Sequence, residues 1–472
     1  MTEGDTGHDE SEEFHRQGSV SSQQDLVQWE NASVETCTVI SLLDYGLEII
    51  QVRRNAYREH CRLRTARTNG TITTIITGSK AKGLIRFLES DIDIMFVRNN
   101  FVCLEDCVSA DKFPREITVF RSYSRTSYPG HCRLLLERRG TTTDRNVTDA
   151  LCDDGHGHKL RSSDLFVHNC RKCKFMKGIV QHDRSGPSMP NALSGILHTD
   201  IVDAFRYHCP SILSKWAARP CHWPLPDVVQ QVVSLGAFLT PVGFKGREYQ
   251  HVEWRVCFNA GEIELIYNLN ETQIKLYFLL KMVENDVLNP HKKEVSSYTL
   301  KNIVLWIAEN NPQSLFHERS LLHWLHVALG ALRVALNTRE LPYYMIPDRN
   351  LMAASELDEE QQSLWISTIK EMINEGPRMI LRLPKIRQAL IAHLEPFRWY
   401  IRRRMELELL MLMNTNRMIL CGDKSGEVDE TDAILQALFK RMNEVIKEVC
   451  VRMRLEGSRV INADAISDRI MM

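Results

Sequence analysis

No apolar run in the 472-residue chain reaches the roughly 18 residues of a membrane span. An excess of charge is also missing: 59 Lys and Arg stand against 60 Asp and Glu, for a net charge of −1. That balance argues against binding nucleic acid over the whole surface. The 13 cysteines are odd in number and scattered, with no secretory signal ahead of them. They read as reduced thiols, which puts the expected compartment in the cytoplasm, with the nucleus as the alternative. The sequons opening at Asn31, Asn69, Asn146 and Asn270 carry meaning only in a secreted chain. Zinc would accept ligands from His156, His158, His168, Cys170 and Cys173, but a single C-x-x-C is a thin basis, and packing is the plainer reading.

What the chain does have is a pair of carboxylates at strand spacing. Asp91-Ile92-Asp93-Ile94-Met95-Phe96-Val97 has the two-residue period of a strand. Strand geometry sets Asp91 and Asp93 on one face, about 6.5 Å apart along the chain. Neighbouring carboxylates repel unless a cation lies between them, and oxygen-only ligands select hard ions such as Mg²⁺ or Mn²⁺. Gly78-Ser79 stands just upstream. Glycine lets a backbone approach a phosphate closely, so its N–H groups and the serine hydroxyl would form a cradle. The bland alternatives are a solvated strand end and an ordinary turn.

Two metals call for a third acid. Asp200 in Asp200-Ile201-Val202-Asp203-Ala204 is the candidate, on a strand that would lie beside the first. Asp203 competes with it, and a helix cap is the alternative for either.

Further segments run in the order of a known family. Gly186-Pro187-Ser188 and Thr199-Asp200-Ile201 come first. Trp254-Arg255-Val256-Cys257-Phe258 and Ser296-Ser297-Tyr298-Thr299-Leu300-Lys301 follow, then Leu341-Pro342-Tyr343-Tyr344-Met345-Ile346-Pro347 with Asn350-Leu351. Together with the Gly-Ser and Asp-x-Asp pieces they resemble the Mab-21-like family, which includes the cyclic GMP-AMP synthase-like receptors. The resemblance spans about residues 40–352. Each segment alone is common; their order carries the resemblance.

The resemblance implies roles. Gly78 and Ser79 would contact nucleotide phosphate, and Asp91, Asp93 and Asp200 would bind two Mg²⁺ or Mn²⁺ ions. Arg255 would meet a base or phosphate, Glu262 would sit on the nucleotide, and Lys281 would reach phosphate. Ser297 and Tyr298 would hold the second nucleotide, Tyr298 by stacking. Each residue also has a plain reading: Arg255 in a cross-strand ion pair, Lys281 on a solvated helix, Ser297 as a helix N-cap, Tyr298 in a core.

The chain departs from the family in places. Asp91 stands where the vertebrate enzyme has Glu, Lys82 where relatives often carry Glu, and Cys257 and Asn259 where Ser is usual. Between Glu262 and Lys281 there is neither His nor Cys. The zinc-bearing DNA thumb of the vertebrate enzyme therefore has no ligands here, and double-stranded RNA or another ligand becomes the expected activator.

The expected fold class is α+β: a nucleotidyltransferase mixed-sheet core with a long N-terminal spine helix, a helical Mab-21 lobe and a helical extension. Residues 1–30 read as a disordered tail. Residues 35–262 read as spine helix (35–68) and core, with a polar insertion loop at 141–160. The Mab-21 lobe is expected over 263–352 and the extension over 353–472, with helices at 361–373, 386–410 and 431–453. Arg53, Arg54, Arg58, Arg62, Arg64 and Arg67 fall on the spine helix, as a phosphate-binding groove or a solvated face. The implied function joins two nucleoside triphosphates, ATP, GTP or others, into a cyclic dinucleotide second messenger in innate immune sensing. The alternatives are an inactive scaffold or developmental protein, or an enzyme making linear products or acting on RNA ends.

Overall fold

The computed structural model describes residues 10–141, 149–155, 157–171, 179–184, 186–193, 197–288, 295–354, 357–392, 394–423 and 427–457, with side chains from residue 24. The protein is mixed α/β and divides into two compact units. His156 and Cys173 of the zinc reading lie outside the described residues. Among the described ones, His158 pairs instead with Asp154 at 2.8 Å.

The first unit draws on Asp44–Leu269, Leu341–Ala354 and His393–Met472. Its strands are β1 (Ile72–Ile76), β2 (Ile92–Leu104), β3 (Thr118–Tyr123), β4 (His131–Arg138), β5 (Leu151–Asp153), β6 (Lys159–Arg161), β7 (Ile179–Gln181), β8 (Met189–Leu193), β9 (Leu197–His208), β10 (Ala237–Thr240) and β11 (Glu253–Cys257). β2 runs parallel to both β3 and β9; the other pairings are antiparallel. The order β2-β3-β4-β11-β10-β9 returns to β2, so these strands close on themselves, where a mixed-sheet core was expected. A register shift between Val97 and Val102 lets the long β2 serve two neighbourhoods. Its first half pairs with β1 and its second half with β3. The β5–β6 hairpin occupies part of the expected 141–160 loop; residues 142–148 lie outside the described ones.

The strands bury a cluster of aromatic rings. Arg161, fully buried, has its guanidinium 4.4 to 5.7 Å from the ring centroids of Phe101, Phe120, Phe166, Phe205 and Trp254. The negative faces of those rings attract a desolvated cation. The Trp254 indole N–H donates to the Arg161 carbonyl at 3.0 Å.

The expected spine helix is two helices, not one. α1 (Glu10–Ile40) gives way to a wide turn at Ser41–Tyr45, and α2 (Leu47–Arg67) starts after Gly46. Asp44 takes φ +70°, which α-helix does not allow. Short helices follow: α3 (Gly78–Ala81), α4 (Ser163–Arg171), α5 (Pro210–Ala217), α6 (Pro226–Leu235) and α7 (Asn259–Tyr267).

The second unit draws on Met1–Leu43, Asn270–Glu340 and Ser355–Ala392. It holds α1, α8 (Glu271–Val283), α9 (Ser297–Asn310), α10 (Leu321–Thr338), α11 (Glu359–Asn374) and α12 (Pro384–Ile391). α1 corrects the expected disordered tail over residues 10–30. Its later turns pack: the Trp29 ring meets His326 edge-on at 5.7 Å, and the Ser33 hydroxyl accepts the Leu322 N–H. α8 opens on a capping box in which Asn270 and Gln273 exchange side-chain and backbone hydrogen bonds.

The expected extension over 353–472 is shared between the units. α13 (Leu394–Cys421) and α14 (Ala433–Leu455) belong to the sheet unit. Leu407, Leu412 and Val445 join a core cluster with Tyr57, Ile76, Ala81, Phe87, Ile92 and Ile94. The expected 386–410 helix breaks between Ile391 and Leu394.

Asn270→Ala removes the half of the capping box in which the Asn270 side chain accepts the Gln273 N–H, and leaves the backbone N–H of residue 270 donating to Gln273. It is expected to lower stability by about 1 kcal/mol, while Asn270→Asp keeps most of it; thermal melts of the two variants check this.

Candidate functional site

Strand register brings the acids together. Asp93 on β2 is the Cα partner of Asp200 on the parallel β9. Both side chains are half-buried, and Asp91, exposed, precedes the strand. Burial first, and then the neighbouring Asp200 carboxylate, push Asp93 up to about 6; Lys82 pulls against them, Asp91 adds to the rise, and Lys80 opposes it. Asp200 is also raised, by burial and by Asp91, while the Ser188 hydroxyl restrains it. Asp203 lies three residues on, where a strand turns its side chain to the other face. There it pairs with Arg98 at 3.1 Å. That leaves Asp200 as the acid beside Asp93.

Gly78 needs to be glycine twice over. It has φ +65°, and a Cβ there would stand 1.9 Å from Asp93 Oδ2. The backbone of the Gly78-Ser79 turn therefore lies directly against the Asp93 carboxylate. The Thr77 N–H donates to the Asp93 carbonyl at 2.8 Å and ties the turn to the strand. Gly78 and Ser79 open the single turn α3 and remain half-buried.

The donor set at Asp91, Asp93 and Asp200 is all carboxylate, which suits a hard divalent ion. As the side chains stand, however, no three His, Cys, Asp or Glu groups among the described residues converge as a metal site.

The other expected residues are placed differently. Arg255 is half-buried on β11, in register with Thr240 of β10 and His131 of β4, and so two strands from Asp200. Glu262 on α7 is buried and accepts the Tyr343 hydroxyl at 3.0 Å, a structural bond to the Leu341–Pro347 segment. Lys281, Ser297 and Tyr298 belong to the helical unit. Lys281 is buried on α8 rather than solvated. Ser297 is the first residue of α9, and the cap position falls to Ser296. Tyr298 is half-buried, with the Lys301 ammonium 4.2 Å from its ring centroid.

Sequence reading gave Lys80 and Lys82 no role at the acids; both are buried and oppose the rise of Asp93. Lys80 donates to the carbonyls of Arg86 and Phe87. Burial pulls it down to about 8 against the opposing pull of Glu408, Glu89, Asp91 and Asp93. Their position next to Gly-Ser was the available signal.

Residues 257–371 match the Mab-21 protein HhH/H2TH-like domain. Over these residues the chain is similar to the Mab-21 family. The family is nucleotidyltransferase-like, and the resemblance to the cyclic GMP-AMP synthase-like receptors is consistent with it. No curated protein matches the chain. No described helix is long and apolar enough to cross a membrane.

The raised Asp93 makes a stability prediction. Its folded pKa, about 6, exceeds the unfolded value near 3.9, so the folded state binds the extra proton between those values. Stability then falls as pH rises from about 4 to about 6, and the loss stays in force above 6. Two units correspond to on the order of 2 kcal/mol once solvent screening at a half-buried position is allowed for. Without divalent ions, Asp93→Asn is expected to melt several degrees above the wild type at pH 7.5. The gap should close as pH approaches 4. An equal or lower melting temperature at pH 7.5 would count against the repulsive pair.

Proposed function

We propose that the protein is a metal-dependent nucleotidyltransferase of the cyclic GMP-AMP synthase-like type. It would join two nucleoside triphosphates, ATP, GTP or others, into a cyclic dinucleotide for innate immune signalling and release pyrophosphate at each step. The observation that carries the reading is the register pairing of Asp93 with Asp200, with Gly78 pressed against the Asp93 carboxylate. Two Mg²⁺ or Mn²⁺ ions held by Asp91, Asp93 and Asp200 would acidify the attacking ribose hydroxyl and offset charge on the leaving pyrophosphate. The backbone of Gly78-Ser79 would orient the triphosphate beside those carboxylates, its approach permitted by the missing Cβ. Lys82 and Lys80 lower Asp93, favouring the ionised form that ligation needs. Arg255, Glu262, Lys281, Ser297 and Tyr298 remain nucleotide contacts by resemblance.

The second reading, a scaffold that has kept the fold, is favoured by one observation: no three acids converge among the described residues. Site variants separate the two. With purified protein, all four triphosphates and Mn²⁺, Asp93→Asn and Asp200→Asn are expected to lose product by at least a hundredfold, as identified by mass spectrometry. Asp203→Asn should keep most of the activity, since it loses only the Arg98 pair. Activity in folded Asp93→Asn would overturn the two-metal assignment, and a wild type without product would favour the scaffold.

We propose double-stranded RNA as the activating ligand. The spine arginines are less available than their sequence suggests. Arg53 and Arg54 are buried, Arg67 donates to the Gly422 and Asp423 carbonyls, and exposed Arg62 pairs with Glu59. Exposed Arg58, 4.5 Å over the Tyr267 ring, and Arg62 are the cations to test. Reversing both to Glu is expected to weaken RNA-stimulated turnover and flatten its salt dependence. Stimulation by double-stranded DNA alone would reject the proposal.

A further inference from the structure

The segment between the Gly-Ser turn and Asp91 is held from outside the Mab-21 match. Glu408, fully buried on α13, takes Arg53 in a two-pronged pair: Oε1 2.9 Å from Nε and Oε2 2.7 Å from Nη2. The same Oε1 accepts the backbone N–H of Phe87 at 3.0 Å. The Phe87 carbonyl accepts from Lys80, as does that of Arg86 at 3.1 Å. Both backbone polar groups of Phe87 are thus fixed, one by α13 and one by the cradle's own lysine. The remaining arginine nitrogen, Nη1, donates to the Asp44 carbonyl at 2.8 Å, and Arg404 of α13 pairs with the Asp44 carboxylate at 2.8 Å. At the far end Arg86 pairs with Glu89, whose carboxylate also accepts the Tyr45 hydroxyl at 2.9 Å. Apolar contacts reinforce the clamp, since Leu407 and Leu412 pack with Phe87, Ala81 and Ile92.

An ionised carboxylate accepting a bidentate guanidinium and an amide in a dry site is costly to disturb, because either partner left alone is a buried unpaired charge. A device of this cost placed under one loop has a positional consequence. We infer that Glu408 is a positioning residue for the candidate site: through the Phe87 amide and Lys80 it fixes residues 78–91, and so the spacing between the phosphate cradle and the Asp91-Asp93 carboxylates. The C-terminal helix pair is then part of the frame of the site. The inference rests on the nucleotidyltransferase reading for what the site binds, but the anchoring itself does not.

The test uses the full chain and two variants. Glu408→Gln keeps the shape and removes the charge. Arg53→Met with Glu408→Leu removes both charges, an exchange that buried pairs often tolerate without loss of stability. Three quantities are read in each folded variant: melting temperature, amide hydrogen exchange along the chain, and Mn²⁺-dependent binding of a non-hydrolysable nucleoside triphosphate. The double variant is expected to fold but to melt several degrees below the wild type, because the Phe87 N–H and the Asp44 carbonyl each lose a partner. Its amides over 84–91 should exchange at least tenfold faster, with exchange elsewhere in the sheet unit little changed, and nucleotide affinity should fall about tenfold. A merely structural role would spread the faster exchange over the whole unit, which overturns the inference. So does unchanged exchange over 84–91 together with unchanged affinity. If the wild type itself binds no triphosphate, the nucleotidyltransferase reading fails, and the exchange pattern alone still decides whether Glu408 anchors the loop.

Discussion

Two carboxylates, Asp93 and Asp200, held in register and partly buried on parallel strands are the constraint on which the rest of the sheet unit bears. A fold that sought only stability would separate Asp93 and Asp200 or give one of them an arginine. It does the second for Asp203, which meets Arg98, and withholds it from the pair that shares a register. Lys82 and Lys80 oppose the rise, yet burial and then the Asp200 carboxylate still carry Asp93 to about 6. A standing electrostatic cost at one point, surrounded by strands that satisfy their own hydrogen bonds, is how a binding site for a cation or a proton differs from a packing defect.

The rest of the unit keeps that point fixed. β2 joins β1, β3 and β9, so the strand carrying Asp93 cannot shift without breaking three ladders. A slip of one residue would turn both acids away from each other and bring Ile92 or Ile94, now buried, to the site face. The Gly78 turn is fastened to the same strand through the Thr77 amide. Closure of the six strands into a ring removes the free edges that would let this register breathe.

Local features were legible in the sequence, and long-range ones were not. Alternation over Asp91–Val97 marked a strand, and the two-residue period explains why Asp200 and Asp203, three apart, cannot share a face. Which of them faces Asp93 depends on the register of a strand more than a hundred positions away, and nothing local encodes that. The break in the spine was equally hidden: Leu43, Leu47 and Ile50 keep helical spacing across it, while the αL turn at Asp44 is set by Arg53 and Arg404 bonding to that residue. The beginning of α1 was misjudged because its composition is that of a tail. Farther along, half-buried Trp29 and buried Ser33 pack against α10.

The arginines of α2 show why composition alone misleads about function. Six cations on one helix describe an electrostatic stripe only if all face water. Each residue turns an α-helix by about 100°, so the same run supplies Arg53 to a buried pair and Arg54 to the Lys82 carbonyl at 3.0 Å, and leaves Arg58 and Arg62 exposed. Arg53 meets Glu408 some 355 residues away in sequence, on a helix outside the span of the family resemblance. Buried ion pairs have no periodicity of their own, because each is defined by a partner on another element. For this protein the consequence is specific: Glu408, the acceptor of the loop amide, comes from outside the span of the family resemblance, since a carboxylate reaching a loop amide needs only its position.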